Sequence, residues 1–276
     1  LYADMSARVM RTLEEMAPAV EVYSIDEAFL DLSGVASAVN LTEFGHQIRQ
    51  RIQQWIGITV CVGIAPTKTL AKLANHGAKS WPKTGGVVDL TSKERQRKLM
   101  ALLPVNEVWG IGGRLTKRLE EMGIHTVLDL ADAPTKLIRQ QFSVVVERTV
   151  MELNGESCIE LEDIPPTKKE IVSSRAFGER VTELAAMHEA ISEYVHRASK
   201  KLRQERCQAK RISVFLRTSP FSDHQLDPYY SNSRSAELSY PSDDTRDFLH
   251  VASKLLDAIW KDDFRYAKAG VMLSDF

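Results

Sequence analysis

The sequence predicts an α+β fold: a layer of helices on a mostly antiparallel sheet, a small all-helical region, and a βαββαβ domain. Three observations carry this prediction. An apolar hairpin pattern lies near the start, residues 92–155 hold no convincing strand, and six alternating elements follow a proline-rich stretch. The chain has 276 residues, of which 43% are hydrophobic and 26% charged, which is typical of a globular protein with two or three domains.

Helices and strands alternate in the first ninety residues. Apolar residues recur at helical spacing from Leu1 to Met16, and Pro18 ends that helix. The runs 20–25 and 28–32 alternate apolar and polar residues, so they predict two strands of a hairpin. The other predicted elements are a helix after an Asn40–Glu43 capping pair, a buried strand over 58–64, a helix from 66 to 78 and a strand over 87–90.

An adjacent carboxylate pair, Asp26 and Glu27, falls at the predicted hairpin tip. Neighbouring like charges repel each other unless they share a cation. Magnesium favours a few carboxylates together with phosphate oxygens, and a rigid hairpin would present such ligands well. An exposed acidic turn is the commoner explanation for a bare Asp-Glu pair. The metal-site interpretation therefore depends on the features found around it.

Three lysines on the helix after the buried strand are the first such feature. Lys68, Lys72 and Lys79 are spaced four and seven residues apart, so they lie roughly on one helix face. A lysine there is suited to a triphosphate whose oxygens share metal ions with the carboxylates. A solvated charged face is the ordinary alternative, and the lysines favour a phosphate site only in combination with Asp26 and Glu27.

The helical region begins with a predicted capping box from Thr91 to Glu94. It contains the tight turn Gly110-Ile111-Gly112, which leads into a helix that Gly123 ends. The turn lacks the third glycine and the preceding strand of a dinucleotide fingerprint. It would instead present backbone N–H groups to a phosphate without reading base sequence, aided by Lys117 and Arg118. An ordinary helix–helix turn is the alternative.

The prolines near residue 165 predict a linker over 163–170. Beyond it we predict strand 171–179, helix 185–206, strands 211–218 and 229–239, helix 245–260 and strand 268–274. Residues 166–218 hold twelve Lys and Arg against six Asp and Glu, whereas residues 219–276 hold six against ten. This segregation of charge indicates a polyanion partner as readily as a solvated helix face. If the partner is a nucleic acid, Arg175 and Arg211 are among the candidate residues that would contact its backbone.

Several protein classes are disfavoured by composition. The three cysteines, Cys61, Cys158 and Cys207, are scattered, which argues against a disulfide framework or a zinc cluster and favours a reducing cytoplasm. No apolar run approaches a membrane span, so we expect no membrane partner.

Taken together, the motifs resemble those of the Y-family translesion DNA polymerases. The stretch Tyr23–Asp31 resembles the family's second catalytic motif, Gly63–Ala74 the palm helix that follows it, and Gly110–Gly112 the DNA-gripping helix-hairpin-helix of the thumb. The stretches 84–100 and 268–273 are closest to one bacterial branch, the polymerase V catalytic subunits. The similarity extends over the whole chain.

The resemblance implies a domain plan and a set of site residues. Residues 1–90 would be a partial palm, 91–162 a thumb, 163–170 a linker and 171–276 a little finger. Asp26 and Glu27 would ligate two Mg²⁺ ions for nucleotidyl transfer, and Lys79 would bind the triphosphate. The DNA-binding residues expected from the motifs and the basic patch are Gly110, Ile111, Gly112, Lys117, Arg118, Arg175 and Arg211. Asp31 is expected to be structural.

The resemblance also implies substrates, a cellular process, partner proteins and catalytic residues upstream of Leu1. The substrates would be primer–template DNA and deoxynucleoside triphosphates, with synthesis past damaged bases in the SOS response. Accessory subunits and a sliding clamp would be partners of the full-length protein. The family's first catalytic Asp and its steric gate fall upstream of Leu1. We therefore expect the full-length protein to be an active DNA-directed DNA polymerase and this chain alone to be inactive.

Two other functions are compatible with parts of the pattern. A nucleotide cyclase-like enzyme would share a two-carboxylate palm but would lack the thumb turn and the basic C-terminal domain. A non-catalytic DNA-binding accessory protein would have dispensable carboxylates.

Overall fold

A computed structural model describes residues 1–34, 39–162, 169–222 and 227–276 of the chain. Contacts divide the chain into two units, Leu1–Pro165 and Pro166–Phe276. Most of the predicted linker, residues 163–168, lies outside the described residues, so the linker and the four-part domain plan remain predictions. Among the described residues, no helix combines the length and the apolar character that a bilayer crossing needs.

The first unit starts with the predicted alternation of helix and strand. Its elements are α1 (Tyr2–Glu14), β1 (Ala19–Val22), β2 (Ala28–Asp31), α2 (Leu41–Ile56), β3 (Val62–Ile64), α3 (Lys68–Ser80) and β4 (Val87–Asp89). Strands β1 and β2 form an antiparallel hairpin in which Val22 faces Ala28, so the predicted hairpin is confirmed. The Asn40 side chain accepts from the Glu43 N–H and caps α2, and Gly57 ends that helix with a φ of 79°.

Strand β3 is shorter than the predicted run 58–64 and only partly buried. It pairs in parallel with β4, with Val62 opposite Val87 and Ile64 opposite Asp89. Helix α3 lies in the crossover between the two strands, as a parallel pair requires. The palm-like region described here therefore holds one antiparallel pair and one parallel pair.

Helix α3 packs directly on the backbone of β3 at Gly63. A Cβ added to Gly63 would lie 2.2 Å from the carbonyl oxygen of Ala71 and 2.3 Å from the backbone nitrogen of Asn75. No other residue type fits this contact without displacing α3. The glycine thus determines how closely the lysine-bearing helix approaches the sheet.

The helical region holds α4 (Lys93–Leu102), α5 (Gly113–Glu121), α6 (Val127–Asp132), α7 (Thr135–Gln141) and α8 (Val144–Leu153). Residues 92–155 are all described and contain no strand, as predicted, apart from a single antiparallel bridge from Pro104 to Thr126. The apolar core runs without a break from α3 and β4 into these helices.

The capping box predicted at Thr91–Glu94 is wrong. Ser92 is the N-cap residue of α4, and its side chain makes no capping bond. The Thr91 hydroxyl donates instead to Asp89 Oδ1 at 2.7 Å, which removes it from the helix end. A complete capping box occurs later in the chain, between Thr126 and Asp129 at the start of α6.

The second unit has the predicted βαββαβ order: β5 (Glu170–Val181), α9 (Leu184–Gln204), β6 (Ala209–Thr218), β7 (Ser231–Ser242), α10 (Thr245–Ile259) and β8 (Tyr266–Ser274). The four strands form one sheet in the order β5-β8-β6-β7, antiparallel throughout. Both helices cover one face of the sheet, where Ile212, Val214 and Leu216 are fully buried beneath them.

We expect Gly63→Ala to lower the free energy of unfolding of the first unit by about 3 kcal/mol, because the new methyl group would overlap the backbone of α3. Urea denaturation followed by circular dichroism would measure the loss. Gly113→Ala is the matched control, since a Cβ added at Gly113 would meet no atom within 4 Å and its φ is not left-handed. Equal stabilities for the two variants would contradict the close packing at Gly63.

Candidate functional site

The carboxylate pair occupies the loop that joins β1 to β2. The backbone N–H groups of Tyr23 and Ser24 both donate to the Glu27 carbonyl, at 3.1 and 3.0 Å, and close the loop into a tight tip. The Ser24 hydroxyl donates to Asp26 Oδ1 at 2.7 Å. Asp26 is exposed and Glu27 half-buried, so both carboxylates are accessible to a ligand.

Lys68 lies in the first turn of α3 and points into the protein. Its ammonium group forms a buried ion pair with Glu21 of β1 and donates to the Glu160 carbonyl at 2.7 Å. Only 8% of either side chain in the ion pair is exposed. Glu21 also accepts from the backbone N–H of Glu162 at 2.7 Å. Lys68 is therefore not available to a triphosphate, and its role is to fix the hairpin to α3.

Lys72, one helical turn further along α3, reaches the carboxylate pair itself. Its Nζ lies 2.5 Å from Glu27 Oε1, and the side chains are 24% and 43% exposed, respectively. One oxygen of Glu27 thus already has a cationic partner. The predicted closeness of the lysine face and the acidic tip is present in the structure, through Lys72.

Lys79 lies at the far end of α3. It is seven positions from Lys72, which corresponds to about 10 Å along the helix axis. The side chain is exposed, and it forms no ion pair with any residue that the structure describes. Lys79 thus remains free to bind a phosphate group, whereas Lys68 and Lys72 have acidic partners.

An aromatic cluster lies beside Lys72, and the sequence patterns did not indicate it. Tyr23, Phe29 and Trp109 contact one another, with ring centroids 5.4 to 5.8 Å apart. The Trp109 Nε1–H donates to the Tyr23 hydroxyl at 3.2 Å. The only signal in the sequence is that Trp109 directly precedes the glycine turn, which does not reveal its partner.

Asp31, at the end of β2, bonds to the turn that follows the strand, and its structural role remains a prediction. Hydrogen bonds from the Ser33 side chain and the Ser33 N–H lower the pKa of the Asp31 carboxyl below its usual value. The ionised carboxylate therefore stabilises the turn that follows β2 rather than the tip that holds Asp26 and Glu27.

The donor set at the tip fits magnesium better than zinc. Asp26 Oδ2 and Glu27 Oε2 have no hydrogen-bond partner among the described residues, so each carboxylate keeps one oxygen for a cation. No group of three or more His, Cys, Asp and Glu side chains in the described ranges could enclose a metal. Magnesium commonly binds through one or two carboxylates, with water and substrate phosphate completing its shell.

The glycine turn has the predicted shape at the start of α5. Gly110 has a φ of 88°, and the backbone N–H groups of Gly112, Gly113 and Arg114 have no acceptor among the described residues. Ile111 differs from its prediction, because its side chain is buried and its N–H donates to the Val108 carbonyl at 2.9 Å. Ile111 therefore anchors the turn and offers no group to a phosphate.

The cations near the turn are not equivalent. Lys117 is exposed and has no ion-pair partner among the described residues. Arg118 donates to the Gln141 carbonyl and stacks on Phe142 at 4.6 Å, so its guanidinium is already engaged. Arg114 is exposed in the first turn of α5, nearer to the free N–H groups, and sequence analysis did not include it.

The two arginines predicted to bind DNA in the second unit lie on opposite faces of the sheet. Arg175 of β5 pairs in register with Ala269, whose side chain is buried under the helices, so Arg175 points to the helix side. Arg211 points to the other face and lies 2.5 Å from Glu237. A single flat DNA contact cannot use both, which corrects the prediction that grouped them.

The face of the sheet away from the helices, here called the open face, has a distinct composition. Arg217 and Lys268 are directly opposite each other in the ladder, and neither forms an ion pair with a described residue. Like charges in this arrangement destabilise a sheet unless an anion lies between them. The other open-face positions are mixed: six serines, Ser174, Ser213, Ser231, Ser233, Ser235 and Ser274, lie among the apolar residues Val172, Phe215 and Met272 and the Arg211–Glu237 ion pair.

Sequence profiles of one family match three parts of the chain. The impB/mucB/samB family profile matches residues 1–76, the IMS family HHH motif residues 93–124, and the impB/mucB/samB family C-terminal domain residues 168–276. The carboxylate pair, the glycine turn and the open face each fall within one of these matches.

The chain is also similar to whole proteins. It is 56% identical to Protein UmuC of Salmonella typhimurium strain LT2 over 100% of this chain and 65% of that protein. It is 51% identical to Protein MucB of Escherichia coli with the same coverage, and 30% identical to DNA polymerase IV 2 of Bacillus subtilis over 99% of this chain and 65% of that protein. The chain thus spans about 65% of the length of these relatives.

Solved structures share the fold. A Y-family DNA polymerase chimera of Dbh and Dpo4 matches with a TM-score of 0.76 at 22% identity, over 100% of this chain and 76% of that chain. A post-insertion binary complex of Dbh DNA polymerase matches with a TM-score of 0.54 at 23% identity, with the same coverage. The α+β fold predicted from the sequence is therefore confirmed.

We expect Lys68→Met to lower the free energy of unfolding by about 3 to 5 kcal/mol, because it leaves the Glu21 carboxylate buried without its partner. The double variant Glu21→Met/Lys68→Met should recover most of the loss, since an apolar pair needs no neutralisation. Denaturant titration would compare the two.

Lys98→Met provides the control for that experiment, because the Lys98–Glu94 pair is 73% and 75% exposed and should contribute less than about 1 kcal/mol. A double variant as unstable as Lys68→Met would contradict the assignment of the loss to an unpaired buried charge.

Proposed function

The chain belongs to the impB/mucB/samB family and has the fold of Y-family DNA polymerases, and from this premise we propose that it is part of a translesion DNA polymerase. The proposed reaction is template-directed addition of a nucleotide to a primer 3′ end past damaged bases. The observation that carries the proposal is the Asp26-Glu27 tip, in which Asp26 is exposed and the half-buried Glu27 pairs with Lys72 of helix α3.

Asp26 and Glu27 are the proposed ligands of two divalent ions, with magnesium favoured by the oxygen donor set. When bound, the ions would supply activation of the primer 3′ oxygen and neutralise charge on the departing pyrophosphate. Ser24 orients Asp26 and Lys72 orients Glu27, so each carboxylate presents its second oxygen from a fixed position. Such preorganisation is the main contribution of a protein to phosphoryl-type transfer.

Lys79 is the proposed contact to the triphosphate of the incoming nucleotide. Its exposure and its lack of an acidic partner among the described residues support that role. Lys68 and Lys72 have structural and orienting roles instead. The three lysines of one helix face thus divide between holding the hairpin, holding Glu27 and binding substrate.

Two surfaces are proposed to hold primer–template DNA. The free N–H groups of the glycine turn, with Arg114 and Lys117, would hold one phosphate group or more. The open face of the second unit, with Arg217 and Lys268, would contact the duplex, and the hydroxyl groups around them would donate to phosphate oxygens. Neither surface requires a particular base sequence, which suits synthesis past damaged templates.

The remaining parts of the proposal rest on the family alone. They are a cytoplasmic location, use in the SOS response, and partnership of the full-length protein with accessory subunits and a sliding clamp. The proposal that the full-length protein supplies a first catalytic Asp also rests on the family alone.

In the full-length protein, Asp26→Ala and Glu27→Ala should each reduce primer extension by about a thousandfold or more, because each removes a ligand of the charge-neutralising ions. Binding to primer–template should change little, since neither side chain lies on the proposed DNA surfaces. Gel-based extension and fluorescence anisotropy would measure the two properties. Glu43→Ala, an exposed change on α2, is the control. A non-catalytic accessory protein would show no dependence on the carboxylates.

DNA binding by this chain should weaken steeply with salt, and Arg217→Ala or Lys268→Ala should each reduce the slope of log Kd against log salt by about 1. Arg175→Ala is the matched control, because it removes the same charge from the helix side of the same sheet. Anisotropy titrations at several salt concentrations would measure the slopes. Equal effects of Arg175→Ala and Arg217→Ala would exclude the open face as the specific contact.

A further inference from the structure

Trp109 links the glycine turn to the carboxylate hairpin. Its ring centroid lies 5.4 Å from that of Tyr23, nearly perpendicular to it, and 5.8 Å from that of Phe29. Edge-to-face rings at these distances attract each other beyond the effect of buried area. The Nε1–H bond to the Tyr23 hydroxyl, 3.2 Å long, fixes the orientation of the pair.

The same rings hold the lysine that orients Glu27. Lys72 Nζ lies 5.5 Å from the centroid of Tyr23 and 6.0 Å from that of Trp109, within the range of cation–π attraction. The ammonium group is therefore close to both rings and to Glu27 Oε1. Removal of Trp109 would leave Lys72 less restricted and would leave Tyr23 with Phe29 but without the indole.

Trp109 is itself held firmly by its neighbours in the chain. Val108 and Ile111 are buried on either side, and the Ile111 N–H donates to the Val108 carbonyl. The Glu107 carboxylate lies 3.2 Å from Nδ1 of His76, which ties this segment to α3 two turns beyond Lys68. The indole is thus attached to a rigid segment, as a positioning role requires.

We propose that Trp109 is a positioning residue for the Asp26-Glu27 pair, acting through Tyr23 and Lys72. In this role it couples the segment that carries the glycine turn to the geometry of the carboxylate tip. The inference rests on the proposed function. It adds Trp109, which forms no hydrogen bond with either carboxylate in the described part of the chain and is separate from Lys79, the proposed triphosphate contact.

The first test uses the chain itself and needs no metal or substrate. Hydrogen–deuterium exchange in the peptide covering residues 20–31 should become about tenfold faster in Trp109→Ala, the factor that corresponds to loss of one strong ring contact. Trp109→Phe should restore most of the protection, because it keeps a ring beside Tyr23. Trp55→Ala is the matched control, since Trp55 also has a cation on its ring, Arg51 at 5.1 Å, but lies on α2.

The second test uses the full-length protein and separates metal dependence from DNA binding. Trp109→Ala should raise the magnesium concentration for half-maximal primer extension about fivefold, while Kd for primer–template changes less than about twofold. Trp109→Phe should behave nearly like the unmodified protein. A structural defect confined to the turn would instead weaken DNA binding and leave the magnesium dependence unchanged.

The outcomes distinguish this inference from the proposed function. Unchanged exchange at residues 20–31 together with unchanged magnesium dependence in Trp109→Ala would overturn the positioning role, even if Asp26→Ala is inactive. Full extension by Asp26→Ala would overturn the proposed function, whatever Trp109→Ala does. Loss of DNA affinity as the main effect of Trp109→Ala would assign the residue to the turn alone.

Discussion

The buried ion pair between Lys68 and Glu21 is the interaction on which the candidate site depends. A charge removed from water is costly unless a partner and further hydrogen bonds satisfy it. Here Lys68 has Glu21 and the Glu160 carbonyl, while Glu21 also accepts from the Glu162 N–H. The pair joins the first strand of the hairpin to the first turn of α3 and leaves little freedom for either element.

The first turn of α3 is fixed from another direction as well. Glu152 of α8 is fully buried, and its carboxylate accepts from the Thr69 N–H at 2.9 Å and from the backbone N–H groups of Cys158 and Ile159. The Thr67 hydroxyl donates to the Glu152 carbonyl at 2.9 Å. Because a helix propagates its orientation along its length, fixing this turn also sets the position of Lys72 beside Glu27.

Sequence patterns predicted the elements of this site better than their partners. Period-2 alternation identified the hairpin, and the four-residue spacing identified the lysine face, because both depend on local geometry alone. The pairing of Lys68 with Glu21 joins residues 47 positions apart, and no local rule selects Glu21 over Asp26 or Glu27. The three carboxylates differ in burial. The Glu21 side chain is buried on β1, whereas Asp26 and Glu27 lie in the loop beyond the last paired residues of the hairpin, Val22 and Ala28.

The wrong predictions arose because a polar or charged side chain has several possible partners and directions, and the folded structure selects among them. Thr91 could cap a helix, but Asp89 at the end of β4 takes its hydroxyl. Arg175 and Arg211 belong to one basic stretch, yet the register of β5 and β6 against β8 turns them to opposite faces. The same register places Arg217 opposite Lys268, two positions that composition alone would not connect. Unlike Lys68 and Lys72, these two cations have no described acidic partner, so an external anion would relieve their mutual repulsion.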